Sequence, residues 1–312
     1  MNEVSRKILE QVNSVIIGKE AVTEKVLMAV LAQGHVLLEG VPGVGKTTMA
    51  LAFARTLGLD SRRVQFTSDT MPSDIIGFSL YNKETGRFDY KSGAVMTNLL
   101  LADEINRTSS KTQSALLEAM EEYQVTVDGH TYPLPKPFVV LATQNPVGSA
   151  GTQLLPSSQL DRFMIRTTMG YPDRQSQVDI LRERHHENPL DRLQGVVTCE
   201  ELLELIESAK QVHIADAVYD YIVDLVDATR SSELVELGVS PRGALALCRM
   251  AKAHAFVRGG DFVTPEDVYQ VFDDVCAHRL VLSAKARLGK ITAREITEQL
   301  RQQVPVPQVA QL

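Results

Sequence analysis

Short apolar runs alternate with helically spaced segments along the first half of the chain. Val36 to Glu39 is one such run; it ends in a glycine-rich loop and reads as a buried strand. Strand-length apolar runs recur at Val64–Thr67, Asn98–Ala102, Phe138–Thr143 and Met164–Thr168. Helical spacing lies between several of them, at Thr47 to Leu57 (closed by Gly58) and at Lys111–Glu122. Residues 1–33 read as two further helices around the turn Val15-Ile16-Ile17-Gly18. Strands alternating with helices predict an α/β fold, with a parallel sheet covered by helices on both faces.

Two stretches break the alternation. In 77–93, short alternating segments flank Lys83-Glu84-Thr85-Gly86; in 123–135 they flank Asp128-Gly129, the stronger hairpin signal. From the residues alone, each hairpin is either surface decoration or a working loop. Beyond about residue 172 the strand signals largely stop, and five helically spaced segments follow, from "RQSQVDILRERHHE" to "TPEDVYQVFDDVCAHRLVL". They predict a smaller all-α domain at 187–312, set apart from a core at 1–186. The closing VPVPQVAQL lacks helical spacing and reads as a loose tail.

Bulk properties narrow the class. The 312 residues suffice for one large domain plus a smaller one, and 44% hydrophobic with 23% charged is ordinary for a globular chain. A net charge of −7 is poor footing for gripping a phosphate backbone, which argues against a nucleic-acid partner. No apolar run approaches the roughly 18 residues of a membrane span. MNEVSRKILEQVN carries no apolar signal-peptide core, so a cytoplasmic location is expected. Cys199, Cys248 and Cys276 are far apart and odd in number, without metal-ligand spacing, and are expected to be reduced thiols.

The chemistry starts in the glycine-rich loop. Gly40-Val41-Pro42-Gly43-Val44-Gly45-Lys46-Thr47 matches G-x-x-x-x-G-K-[ST] without departure, after a strand and before a helix. Its glycines let backbone N–H groups turn toward phosphate oxygens. Lys46 adds a charge at the β- and γ-phosphates, the Thr47 hydroxyl can ligate Mg²⁺, and Thr48 follows as a further nucleotide contact. Asp103 and Glu104 close a second apolar run, at the strand end where open α/β sheets place ligands. Asp103 would hold Mg²⁺, and Glu104 would act as general base on the attacking water. Asn145 ends a third strand; it reads either as a γ-phosphate contact that orients the water or as a turn former before Pro146.

Arginines complete the set. Arg162 and Arg166 bracket the start of the last core strand. Arg162 reads as an arginine finger that completes a neighbouring subunit's site, or else as a local partner of Asp161 or a surface charge. Ser240 can cap a helix with Pro241 in its first turn, which puts Arg242 where a cation opposes the helix dipole. That placement suits an anionic partner such as a nucleotide phosphate.

Assembled in this order, the chain resembles the AAA+ ATPases, and specifically the MoxR family, over nearly its whole length. "LLLADEINRTSSKTQSALLEAMEE" is the most specific piece and resembles that family's Walker B region with the following helix. "GVPGVGKT", "LATQNP", "LPSSQLDRF" and "SPRG" similarly resemble Walker A, sensor 1, the arginine-finger region and sensor 2. Ile16, Ile17 and Gly18 resemble the stretch that contacts adenine, and the two hairpins fall where this clade has loops facing a central pore. The resemblance implies an AAA+ P-loop core followed by a helical lid, ATP with Mg²⁺ and a homo-oligomeric, hexameric ring. It also implies a chaperone-like role in maturing other proteins, with von Willebrand factor A domain proteins among the partners.

Two rival functions compete with that reading. One is an ATP-driven nucleic-acid motor, against which the acidic charge and the lack of aromatic-plus-basic clusters weigh. The other is a nucleotide-binding switch without motor action. Guanine-reading switches use Asn-Lys-x-Asp, and Asn82-Lys83-Glu84-Thr85 lacks the Asp. The intact Asp103-Glu104 pair also favours hydrolysis over a purely structural role.

Overall fold

A computed structural model describes residues 1–41, 43–144, 155–183 and 189–307. Helices α1 (Glu3–Asn13) and α2 (Glu20–Leu31) lead into β1 (Val36–Glu39), α3 (Lys46–Thr56) and β2 (Ser61–Gln65). Next come α4 (Pro72–Ile76), β3 (Gly77–Asn82), β4 (Arg87–Ser92), β5 (Leu99–Asp103) and α5 (Ser110–Glu122). The core finishes with β6 (Gln124–Val127), β7 (His130–Pro133), β8 (Val139–Gln144), α6 (Ser157–Leu160), β9 (Ile165–Thr168) and α7 (Arg174–Glu183). Five of these strands form a parallel sheet in the order β2-β5-β8-β1-β9.

The apolar runs are continuous because both faces of the sheet are covered. Val36, Leu38, Leu99, Leu101, Val139 and Leu141 face one core, shared with α1, α2 and α3. Their alternates Leu37, Leu100, Ala102, Val140 and Ala142 face a second core beneath α5. Each central strand therefore packs two cores, which leaves polar chemistry to the strand ends.

The edge strand departs from expectation. The apolar pattern put it at Val64–Thr67, whereas β2 spans Ser61–Gln65 and exposes Ser61, Arg62 and Arg63. Backbone pairing with β5, from Ser61 opposite Leu99 to Gln65 opposite Asp103, sets its limits. Charged residues on an edge are normal, because they discourage pairing with another chain.

Both expected hairpins are present. Asp128 and Gly129 each take positive φ (49° and 79°), the two-residue turn whose twist suits a hairpin. Tyr90 on β4 stacks on Tyr132 on β7 with ring centroids 4.0 Å apart, which ties the two hairpins to each other. On the first hairpin Phe78, Leu80, Tyr81 and Phe88 are exposed.

The lid comprises α8 (Cys199–Gln211), α9 (Asp216–Ser231), β10 (Val235–Leu237), α10 (Pro241–Arg258), α11 (Pro265–Cys276), β11 (Val281–Leu282), α12 (Ala284–Leu288) and α13 (Ala293–Gln303). It is helical apart from the antiparallel ribbon of β10 and β11, which the sequence pattern did not show. Such short strands carry too few residues for a period of two to emerge. The expected boundary between 186 and 187 falls outside the described residues. Lid and core join through Arg279, whose guanidinium donates to Asp161 Oδ1 at 2.8 Å and to the carbonyls of Phe163 and Met164. That side chain is 2% exposed, so its charge depends on these acceptors.

Candidate active site

The glycine-rich loop leaves β1 and enters α3 with the backbone that its glycines permit. Gly43 and Gly45 take φ of +85° and +97°, conformations that side chains resist. A Cβ at Gly40 would stand 2.4 Å from the Met169 carbonyl oxygen, so the loop lies flat against the end of β9. Gly45 caps α3 without a side-chain bond, which leaves the first-turn N–H groups of α3 directed at the loop, an anion-binding geometry. Lys46, Thr47 and Thr48 form that first turn, while Pro42 lies outside the described residues.

Lys46 is buried and donates to the Gly40 carbonyl. Burial lowers its pKa, and the charges of Asp103 and Glu104 push it back up. The three residues thus share one end of the sheet. Thr143 on β8 fixes the two acids: its hydroxyl donates to Asp103 Oδ1 at 2.6 Å and accepts from the Glu104 N–H at 2.9 Å. Asp103 Oδ2 also accepts from Arg63 at 2.7 Å. Glu104 takes a left-handed φ of 57°, unusual for a residue with a side chain and typical of functional turns. Its Oε2 accepts from Gln65 at 2.9 Å and from Arg107 at 2.8 Å. Asn145 falls outside the described residues.

An apolar cleft adjoins the loop. Ile16, Ile17, Val44, Met169, Pro172 and Ile180 line its inner part, and Leu181 and Gln177 continue it outward into a cavity of about 210 Å³. A planar, mostly apolar ligand group fits such walls. Gly18 sits at the rim with φ +70°, and a Cβ there would stand 2.2 Å from the Ser176 hydroxyl on α7. Gly18→Ala is therefore expected to destabilise the fold by about 1–3 kcal/mol, the range for strained backbone positions, measured by urea unfolding. An unchanged midpoint would show that α7 does not hold the rim closed.

The arginines lie elsewhere. Arg162 shares a cavity of about 210 Å³ with Gln33, Gly34, His35, Glu121 and Arg242. Gln33 to His35 precede β1 and the glycine-rich loop follows it, so Arg162 sits at the opposite end of that strand from Lys46. Arg162 Nε donates to Glu121 Oε2 at 2.9 Å, not to Asp161. Asp161 instead holds Arg279 and accepts from Ser240, the cap of α10. Arg242 also pairs with Glu121. Arg166 points another way and stands 3.7 Å from Glu39 at the end of β1.

Sequence reading missed Arg63, Gln65 and Glu121, whose neighbours only the fold brings together, and Arg107, which lies three residues from its partner Glu104. Thr143 had a weak signal, as a polar residue interrupting an apolar strand. No cluster of metal-binding side chains occurs among the described residues. Cys276 is buried, with its thiol pushed up to about 12 by that burial, and all three cysteines are free.

Comparisons with known proteins match the core and the lid to family models. Residues 35–165 match the model of the ATPase family associated with various cellular activities (AAA), and 227–300 match the AAA lid domain. Uncharacterized protein YeaC of Bacillus subtilis is 46% identical over 96% of this chain and 94% of its own length. Chaperone MoxR1 of Mycobacterium tuberculosis is 41% identical, covering 99% of this chain and 84% of its own. A crystal structure from Cytophaga hutchinsonii superposes with a TM-score of 0.90 at 39% identity, covering 97% of this chain and 94% of that one. With an AAA core, an AAA lid and such relatives matched almost end to end, the chain belongs to the MoxR family of AAA+ ATPases.

Proposed function

We propose that this chain hydrolyses ATP with Mg²⁺ in a homo-oligomeric, hexameric ring and uses the energy to remodel or mature other proteins. One observation carries the reading: the phosphate loop with its two acids lies at one end of β1, and Arg162 and Arg242 lie at the other. A site complete in one subunit would hold both together. A site completed by a neighbour would separate them, and the separation supports that reading.

ATP would lie with its base in the apolar cleft against Ile17 and its phosphates over the first turn of α3. Loop N–H groups and Lys46 bind the phosphate oxygens. The Thr47 hydroxyl and the Asp103 carboxylate are hard oxygen donors, the kind Mg²⁺ prefers, and they would hold the ion. When bound, it offsets charge on the phosphates. Glu104 takes a proton from the attacking water, with Asn145 orienting that water. Arg162 meets the γ-phosphate of an adjoining subunit, and Arg242 supports it from the lid. Size-exclusion chromatography with light scattering tests the assembly: a particle of several subunits in ATP supports it, and a monomer under all nucleotide conditions contradicts it.

The stacked hairpins are the client-facing elements, since neither contributes to the nucleotide site and the first exposes Phe78, Leu80 and Phe88. Partners with a von Willebrand factor A domain are the adaptors the family suggests, and the cytoplasm is the expected compartment. Among the described residues, no helix is long and apolar enough to cross a membrane. Shortening the second hairpin across Asp128-Gly129 is expected to spare most basal ATPase and to uncouple client action. Full client maturation by the shortened protein would remove the hairpin from the mechanism.

A further inference from the structure

The core–lid cavity holds more positive charge than its neighbours neutralise. Arg162, Arg242, Arg249 and Arg279 line it against Glu121 and Asp161. His35 adds no charge, because burial lowers its pKa to about 4. Its Nδ1 accepts from the Val140 N–H, so the neutral ring carries its proton on Nε2, toward the Met120 carbonyl.

Within this cavity a single carboxylate touches both arginines of interest. Glu121 Oε2 accepts from Arg162 Nε at 2.9 Å, and Glu121 Oε1 accepts from Arg242 Nη2. One arginine comes from the core, just before β9, and the other from the lid, at the start of α10. Glu121 lies in the last turn of α5 and spans the gap between them. Each guanidinium carries five N–H donors in a rigid fork, and neither is used up. Arg162 Nη1 donates to the Ser158 carbonyl at 3.1 Å, so its Nη2 stays free of protein partners among the described residues. Arg242 keeps Nε and Nη1 in the same condition.

Asp161 supports the second arm. Its Oδ2 accepts from the Ser240 hydroxyl, which also accepts from the Gly243 N–H and so fixes the helix start that carries Arg242. The two side chains are 30% and 44% exposed, enough for a ligand to reach them. Exposed long side chains normally lose rotamer freedom when they bind, and a shared carboxylate removes that cost in advance.

We propose that Glu121 is a positioning residue: it holds Arg162 and Arg242 side by side as one divalent receptor for the γ-phosphate that a second copy of this chain presents. This rests on the reading that Arg162 acts in trans. Glu121 touches no substrate and acts through the two guanidiniums. Its own charge is the compromise, since a carboxylate near phosphate repels it; two guanidiniums on one acid still leave one net positive charge.

The test uses the assembled protein. Glu121→Gln keeps the size of the side chain and one carbonyl acceptor but cannot hold two cations. It is expected to lower kcat by up to about 100-fold, the scale of a misplaced group, with the KM for ATP, the assembled mass and the melting temperature unchanged. In an Arg242→Ala background the Glu121→Gln loss should shrink, because the pair it organises is already broken. Five results would overturn the assignment. Wild-type turnover in Glu121→Gln with Arg162→Ala inactive removes the clamp and leaves the trans arginine standing. Faster turnover in Glu121→Gln makes the carboxylate a restraint. Losses that multiply independently of Arg242, or that follow a fall in melting temperature, make it structural. Full activity in Arg162→Ala removes the trans reading and the clamp with it.

Discussion

Glu104→Gln is expected to bind ATP as tightly as the wild type and to lose turnover by roughly 10²–10⁴-fold, the usual contribution of a positioned general base. The side chain leaves the end of β5 on a left-handed residue, and Gln65 and Arg107 hold its Oε2. An amide of the same shape keeps hydrogen bonds but cannot accept the proton of the attacking water. Lys46→Ala should fail one step earlier and abolish nucleotide binding. Lys46 is buried at the phosphate loop, and breaking a buried charge interaction costs roughly 3–5 kcal/mol. At about 1.4 kcal/mol per tenfold, affinity falls by two orders of magnitude or more. Equilibrium binding of a fluorescent ATP analogue and steady-state phosphate release separate the two variants. Near-normal turnover in Glu104→Gln would assign the base elsewhere.

Arg162→Ala is expected to cost on the order of 10³-fold or more in turnover, the range of arginine fingers supplied in trans, while ATP affinity stays nearly intact. The physical reason is distance along β1. Arg162 shares its cavity with Gln33 and Gly34, before the strand, whereas the phosphates would sit after it. The charge is therefore expected to contribute nothing to phosphate binding in its own subunit, where it pairs with Glu121. Wild-type specific activity should rise with protein concentration as subunits meet, and Arg162→Ala should flatten that rise. Arg166 is the weaker candidate, because it stands beside Glu39 of its own sheet.

The nucleotide end of the site was legible because local backbone rules create it. The glycines with positive φ and the lysine at the helix start lie within one run, the two acids are adjacent at a strand end, and each local order reports its geometry. The same holds for the second hairpin, where Asp128-Gly129 dictates the turn. Legibility ended where contacts join distant segments. Glu121 is 41 residues from Arg162 and 121 from Arg242, so no spacing announced that one carboxylate meets both. The same distance concealed that Asp161 holds Arg279, 118 residues away, instead of its neighbour Arg162. β2 was misplaced because pairing with β5, and not apolar content, sets an edge strand's limits.

Mixing two inactive variants tests the composite site most directly. Lys46→Ala subunits offer an intact Arg162 but are expected to bind nucleotide too weakly for turnover; Arg162→Ala subunits are expected to bind nucleotide but offer no arginine. In a mixed ring, an intact phosphate loop meets an intact Arg162 at some interfaces, so phosphate release should reappear and peak near equal proportions. Silence at every mixing ratio, with co-assembly confirmed by light scattering, would contradict a site completed by the neighbouring subunit.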